Sequence, residues 1–295
     1  MNKKLKYLFI FIVFIAFISV SINYLSGVSI PVLQPSGQIA TKERNLLLFA
    51  VSLSAIVVIP VFVLLFSISW RYRESNTKAK YSPDYDHSAV LESIWWLIPT
   101  FLITILSVVT WNSSHDLDPY RPISSSQKAM TIQAVSLDWK WLFIYPDQNI
   151  ASVNYLKIPD HTPVKFEITS DSVMNSFWIP KLGGQIYSMP GMSTQLHLMA
   201  DTSGDFYGSS ANISGKGFAG MNFIASSGTE NDFNSWVSEV RSSPNSLSLN
   251  NYSKLAKPST DNHVVYFSGY DQNLYGSILA KYDTGNPAMM NMGGL

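Results

Sequence analysis

The sequence contains no cysteine among its 295 residues. Without thiols the chain can form no disulfide, zinc–thiolate site or iron–sulfur cluster, and it has no cysteine nucleophile. Charged residues are also scarce, at 14% of the chain, and the formal net charge is zero. Because binding to nucleic acid depends on a basic surface, we exclude nucleic acid as a partner.

The scarcity of charge leaves two long apolar runs in the first half of the chain. Residues 45–70 and 93–111 contain no Asp, Glu, Lys or Arg, and each is long enough as a helix to cross a hydrocarbon core of about 30 Å. Tryptophan closes the first run and flanks the second, at the depth where amphipathic rings prefer to lie. We therefore predict two transmembrane helices within 45–111, in a lipid bilayer. The alternative is a buried helical hairpin of a soluble protein.

The segments beside these runs carry basic residues. An apolar block at 8–20 follows three lysines, so residues 1–27 are predicted to form a signal-like segment that is either cleaved or kept as a third span. The loop 71–92 holds four Lys and Arg residues, and the positive-inside bias places it in the cytoplasm. The remainder of the chain, from residue 112, then lies outside.

Downstream of residue 130 the apolar pattern changes to a period of two. Alternation over 137–145, 164–169, 194–198 and 221–225 predicts half-buried strands, separated by clusters of Pro, Gly, Asn and Ser. Short strands of this kind are typical of an all-β antiparallel sandwich. His197 falls on the polar face of the third strand, so we expect it to be solvated rather than to bind a metal.

The C-terminal part returns to a helical period. Four apolar residues have the spacing of one helix face: Phe233, Trp236, Val237 and Val240. Pro244 ends that helix, and a second short helical piece is predicted around residues 255–256. The Met-rich and Gly-rich tail 285–295 is predicted to be disordered.

Two stretches rich in small residues carry the clearest functional signal. Residues 173–180 read VMNSFWIP and residues 204–221 read GDFYGSSANISGKGFAGM. Together they resemble the copper loop of subunit II of heme–copper oxidases. The positions that correspond to that family's copper ligands are occupied here by Asn175, Ser210, Asn212, Ser214, Phe218 and Met221.

Most of the ligands are missing from this loop. Copper-binding members carry cysteines at both serine positions, histidines at Asn175 and Phe218, and a glutamate at Asn212, whereas Met221 is unchanged. Thiolates and imidazoles suit a copper electron-transfer site, and serine, asparagine and phenylalanine cannot replace them. The pattern resembles the quinol-oxidising branch, the cytochrome bo-type ubiquinol oxidases. The alternative is an ordinary loop in which Gly and Ser coincide.

This resemblance extends over most of the chain and implies an architecture and a role. It implies a cupredoxin-like sandwich without copper at 125–228 and a helical C-terminal arm at 229–284. It also implies that this chain holds no redox or catalytic centre: heme and copper belong to a partner, subunit I, and ubiquinol is the substrate of the whole complex. The other partners are the remaining membrane subunits, in a bacterial inner membrane with the sandwich in the periplasm.

Glu92 lies at the cytoplasmic end of the second predicted span. The resemblance implies a position at the mouth of the lysine-type proton channel of subunit I, since ionisable groups at span ends often mark proton paths. The alternative is a first-turn carboxylate favoured by the helix dipole.

Trp139 and Trp141 lie in a run that passes electrons towards copper in cytochrome c oxidases. Without copper behind them, we expect these aromatic side chains to pack in the core and at interfaces.

Two other functions remain open from the sequence. One is a cytochrome c oxidase subunit II that holds copper in another way, which the absence of cysteine argues against. The other is a membrane-anchored periplasmic β-sandwich that binds a partner outside any respiratory complex. We expect a non-redox quinol-oxidase subunit with a structural and assembly role.

Overall fold

The computed structural model describes residues 30–80 and 86–282, together with Ser19. Two long helices and a two-sheet β domain make up most of this part of the chain. The predictions made for the signal-like segment 1–27 and for the tail 285–295 lie outside the described residues.

The two apolar runs form helices α1 (Gln38–Arg71) and α2 (Ala89–Asp116). Both are long and apolar enough to cross a membrane, and no residue of their most apolar windows is buried. Helices that expose apolar side chains all round need lipid or another protein around them. The predicted pair of apolar helices is confirmed, and the chain is membrane-anchored.

Both helices join the β domain at the same end of their hairpin. The amide of Ala40, in the first turn of α1, donates to Leu182 O of the domain at 3.1 Å, which satisfies a donor that a helix end leaves unpaired. Just after α2, Pro119 O accepts from His197 N at 3.2 Å. The other ends of the two helices, Arg71 and Ala89, therefore lie away from the β domain.

The β domain is a sandwich of two sheets. Within the described residues its strands are β1 (Met130–Leu137), β2 (Lys140–Tyr145), β3 (Ile150–Val153), β4 (Tyr155–Pro159), β5 (Val164–Ser170), β6 (Asn175–Trp178), β7 (Ile186–Ser188), β8 (Thr194–Leu198), β9 (Gly204–Ser210), β10 (Asn222–Gly228) and β11 (Val265–Phe267). One sheet has the order β11-β3-β2-β1-β5-β8 and the other has the order β4-β10-β9-β6-β7.

The expected antiparallel sandwich is confirmed except at two pairings. β1 pairs with β5 in parallel, and β10 pairs with β4 in parallel. The chain makes the antiparallel series β1-β2-β3, crosses to the other sheet at Asn154, and returns beside β1 as β5. A strand that returns through the opposite sheet can run in the same direction as its neighbour, which a hairpin cannot do.

The predicted half-buried strand at 137–145 is also wrong. The chain turns at Asp138–Trp139 between β1 and β2, with Trp139 in the left-handed region at φ 63. Alternation continues through this turn, so periodicity alone does not reveal it. Every residue of β2 is buried, because the sandwich core covers one face of the strand and the C-terminal arm covers the other.

The arm consists of α3 (Glu230–Arg241), α4 (Leu249–Leu255), β11 and α5 (Leu274–Ala280). The four apolar residues predicted for one face of α3 are buried. Helix α5 lies within the helical arm predicted at 229–284, whereas strand β11 has no counterpart in that prediction. The outer face of the six-stranded sheet packs against the arm in one apolar cluster: Val135, Leu137, Leu142, Ile144, Ala151, Val153, Leu247, Tyr252, Phe267, Leu274, Tyr275 and Ile278.

Polar contacts hold the arm to the sandwich at two buried points. The side chain of Asp171, which is 1% exposed, accepts from Tyr252 Oη at 2.6 Å, Lys281 Nζ at 2.7 Å and Tyr282 Oη at 2.9 Å. Burial, followed by the bond to Asp171, raises the pKa of the Tyr252 hydroxyl. At the second point Lys140 Nζ donates to Lys257 O at 2.9 Å, and burial lowers the pKa of this ammonium.

We predict that Asp171→Ala destabilises the β domain by about 3 kcal/mol, because three donors lose a charged acceptor. Thermal unfolding of the purified full chain measures this loss. Asp205→Ala, at an exposed position of β9, is the matched control and should change stability by less than about 0.5 kcal/mol. Equal stability of the two variants would show that Asp171 does not fasten the arm.

Candidate functional site

The two small-residue stretches meet at one end of the sandwich. Asn175 begins β6 and Ser210 ends β9, and the two strands are antiparallel neighbours. Asn175 is fully buried and Ser210 is 5% exposed. Ser210 Oγ donates to Asn175 Oδ1 at 2.9 Å, so the hydroxyl and the amide satisfy each other where the resemblance places a cysteine and a histidine.

The neighbouring positions continue this hydrogen-bonded arrangement. Asn212 Nδ2 donates to Met174 O at 3.0 Å and ties the two stretches together. The amide of Ser210 donates to Met221 O at 3.1 Å. The Met221 side chain is 1% exposed and belongs to the apolar core of the sandwich. Four of the six predicted positions thus come together, three through polar side-chain contacts and Met221 through its backbone.

Ser214 and Phe218 lie farther along the same loop, and Ser214 contacts Trp139. The indole Nε1 of Trp139 donates to Ser214 O at 3.2 Å, and Phe218 begins a short 3₁₀ turn, Phe218–Gly220. A Cβ atom added to Gly217 would lie 2.4 Å from the Trp139 ring. A glycine is therefore required here, because the loop backbone lies close to the indole. Trp139 packs against this loop.

Trp141 lies deeper, in the aromatic core. It is fully buried, with ring centroids 5.3 Å from Phe177 and 6.0 Å from Phe223. Edge-on contacts at such distances are typical of packed aromatic cores. These contacts support the expectation that both tryptophans serve packing.

The residues of the loop do not fit a binuclear copper group. A hydroxyl and an amide that are engaged with each other offer no thiolate or imidazole, phenylalanine offers no donor atom, and the remaining thioether lies in the core. Within residues 30–80 and 86–282, no three His, Cys, Asp or Glu side chains lie close enough to hold a metal ion. The loss of copper stays a prediction.

Glu92 lies at the opposite end of the helix hairpin, in the first turn of α2. Its Oε1 atom is 2.5 Å from His87 Nδ1 and accepts from Ser88 N at 3.3 Å. These are the contacts of a carboxylate that stabilises a helix start. The side chain is also 37% exposed, which leaves it accessible to protons from solvent.

His197 does not have the environment that its strand pattern predicts. The residue is 6% exposed, and its Nδ1 atom lies 3.0 Å from Pro119 O. The segment that connects α2 to the sandwich passes over the outer face of β8 and buries the imidazole. The expectation of a solvated histidine is therefore wrong, and this residue anchors the connection to the second span.

Glu43, in the second turn of α1, makes a contact that the sequence does not predict. Its Oε1 atom accepts from Gly184 N at 3.0 Å, a contact between positions separated by 141 residues. No local pattern indicates such a partner, because the glutamate stands among other polar residues ahead of the apolar run. The carboxylate is a further link between the first span and the β domain.

Two protein families match the part of the chain that forms the β domain and the arm. "Cytochrome C oxidase subunit II, periplasmic domain" matches residues 149–227, and "COX Aromatic Rich Motif" matches residues 241–286. These matches agree with the cupredoxin-like sandwich and with the arm that packs aromatic side chains against it.

Curated relatives match nearly the whole chain. Cytochrome bo(3) ubiquinol oxidase subunit 2 of Pseudomonas aeruginosa is 53% identical over 259 residues, which are 88% of this chain and 78% of that protein. The protein of the same name from Pseudomonas putida is 49% identical over 88% of this chain and 82% of its own length. Ubiquinol oxidase subunit 2 of Acetobacter aceti is 45% identical over 88% of this chain and 85% of its own length.

We predict that Gly217→Ala destabilises the full chain by about 2 kcal/mol, because the new methyl group overlaps the Trp139 ring. Gly276→Ala is the control, since a Cβ atom there meets nothing within 4 Å and alanine favours the helix. Chemical denaturation of the two variants compares them directly. A Gly217→Ala protein as stable as the control would exclude close packing of the loop on Trp139.

Proposed function

Because the chain belongs to the family of ubiquinol oxidase subunit 2, we propose that it is the non-redox subunit of a proton-pumping terminal quinol oxidase. The complex oxidises quinol, reduces oxygen to water and moves protons outward. Heme and copper lie on subunit I, and ubiquinol is the substrate of the complex. This chain contributes structure and assembly.

One observation carries the non-redox assignment, the hydrogen bond from Ser210 to Asn175. Both side chains are buried at positions that correspond to copper ligands in the cytochrome c oxidases, and each satisfies the other. A quinol donor dissolves in the membrane and needs no copper relay on the outer domain. The loop therefore keeps its fold but does not transfer electrons.

We place the chain in a bacterial inner membrane with its β domain in the periplasm. The helix ends away from the β domain carry Arg71, Arg73, Lys78 and Lys80, and the positive-inside bias directs this end to the cytoplasm. The exposed apolar side chains of both helices provide the surface against which the other membrane subunits pack.

The two alternatives have less support. A cytochrome c oxidase subunit would need copper ligands in a loop whose polar side chains bond to one another. A membrane-anchored β-sandwich outside any complex is not favoured, because relatives matched over 78% and 85% of their length are named as oxidase subunits.

Oxygen uptake by membranes that carry the complex tests the assignment. We expect uptake with quinol as donor, none with reduced cytochrome c, and none with quinol when this chain is deleted. The full chain, purified without its partners and mixed with copper, should retain no metal after desalting. Uptake driven by cytochrome c, or retained copper, would contradict the non-redox role.

Glu92 is proposed to admit protons at the cytoplasmic side. We predict that Glu92→Gln slows quinol-driven turnover roughly tenfold, which corresponds to about 1.4 kcal/mol of added barrier. Glutamine keeps an acceptor for Ser88 N, so the helix start is preserved. Glu74→Gln, at an exposed position on the same side, should leave turnover unchanged. Equal rates for the two variants would restrict Glu92 to capping the helix.

A further inference from the structure

A cavity of about 450 Å³ opens where α1 meets the β domain. One wall comes from the outer end of the first span and the other from the segments that follow β6 and β9. The residues that matter to its chemistry are Glu43, Trp178, Gly184, Gln185 and Ala211. An acidic group, an indole and an amide thus face one space at the outer boundary of the membrane.

The carboxylate of Glu43 is held in place but its charge is not balanced. Its Oε1 atom accepts from Gly184 N at 3.0 Å, and a Cβ atom on Gly184 would lie 2.8 Å from the same oxygen. Among residues 30–80 and 86–282, no Lys, Arg or His side chain forms an ion pair with it. A partly buried carboxylate without a cation is unfavourable, which indicates that a partner outside this chain completes the pair.

Much of the remaining lining of the cavity is apolar, from Val32, Ala40 and Pro180. Ala211 leads into the loop that carries Ile213, which is 81% exposed, and the facing loop carries Val173 and Met174, which are 55% and 39% exposed. Asn212 Nδ2 holds the two loops together through Met174 O. An apolar lining beside a charged group, with exposed apolar side chains on the loop that follows, is typical of a surface that another protein covers.

We propose that this cavity receives an arginine or lysine side chain of another membrane subunit of the oxidase. The inference rests on the proposed function, which supplies the multi-subunit assembly. A guanidinium group can pair with the free oxygen of Glu43 while it stacks on the Trp178 ring. The apolar lining would then exclude water from the pair, so the contact slows dissociation of the subunits.

Exchange of this chain between assembled complexes tests the proposal. The purified complex is mixed in detergent with an excess of a differently tagged copy of the chain, and the residence time is measured at several salt concentrations. We expect Glu43→Gln to shorten the residence time at least tenfold at low salt. The residence time of the wild-type chain should fall more steeply with salt than that of the variant.

Two controls separate charge from folding. Glutamine keeps an oxygen that accepts from Gly184 N, so the free Glu43→Gln chain should unfold at the same temperature as the wild-type chain. Glu239→Gln removes an exposed carboxylate from α3 and should leave the residence time unchanged.

Two outcomes would overturn the proposal. A residence time for Glu43→Gln equal to that of the wild type overturns the proposal. Loss of phosphatidylethanolamine from the purified Glu43→Gln complex in that case would assign the cavity to a lipid amine. A wild-type chain that never purifies with heme-bearing subunits would overturn the proposed function itself, and with it this inference.

Discussion

The β domain depends on one constraint, which is that strand β2 is buried on both faces. A strand covered on one side only would need a polar outer face, yet Leu142 and Ile144 point away from the sandwich core as apolar residues. The C-terminal arm is therefore an obligatory layer of the domain. Its attachment explains two otherwise unfavourable groups, the buried carboxylate of Asp171 and the buried ammonium of Lys140, since each finds its partners on the arm.

The β domain is in turn joined to the helix hairpin by hydrogen bonds near one end of each helix. The first turn of α1 uses Leu182 O as its cap, and the segment after α2 is held by His197. Two attachment points restrict the orientation of the sandwich better than a single flexible linker would. The surface at Glu43 lies beside one of these points, so its position relative to the membrane is defined by the same contacts.

The sequence predicts those features whose physical cause is local. Long charge-free runs identify α1 and α2, and helical periodicity identifies the buried face of α3. The turn before β2 escapes detection because apolar alternation continues across Trp139. His197 and Glu43 escape because their partners, Pro119 and Gly184, are distant in the chain. The spacing of small residues indicates the loop with the altered ligand positions, but only the folded chain pairs Ser210 with Asn175.

The pairing of Ser210 with Asn175 has a consequence for how the subunit is made. In a domain built around a metal, binding of the ion supplies part of the folding free energy. Any cysteine ligands must stay reduced until the ion binds. Here both polar groups obtain their partners from the chain itself, and the sequence has no thiol to protect. The hydrogen bond between these two side chains can therefore form without a bound ion and without a reductant.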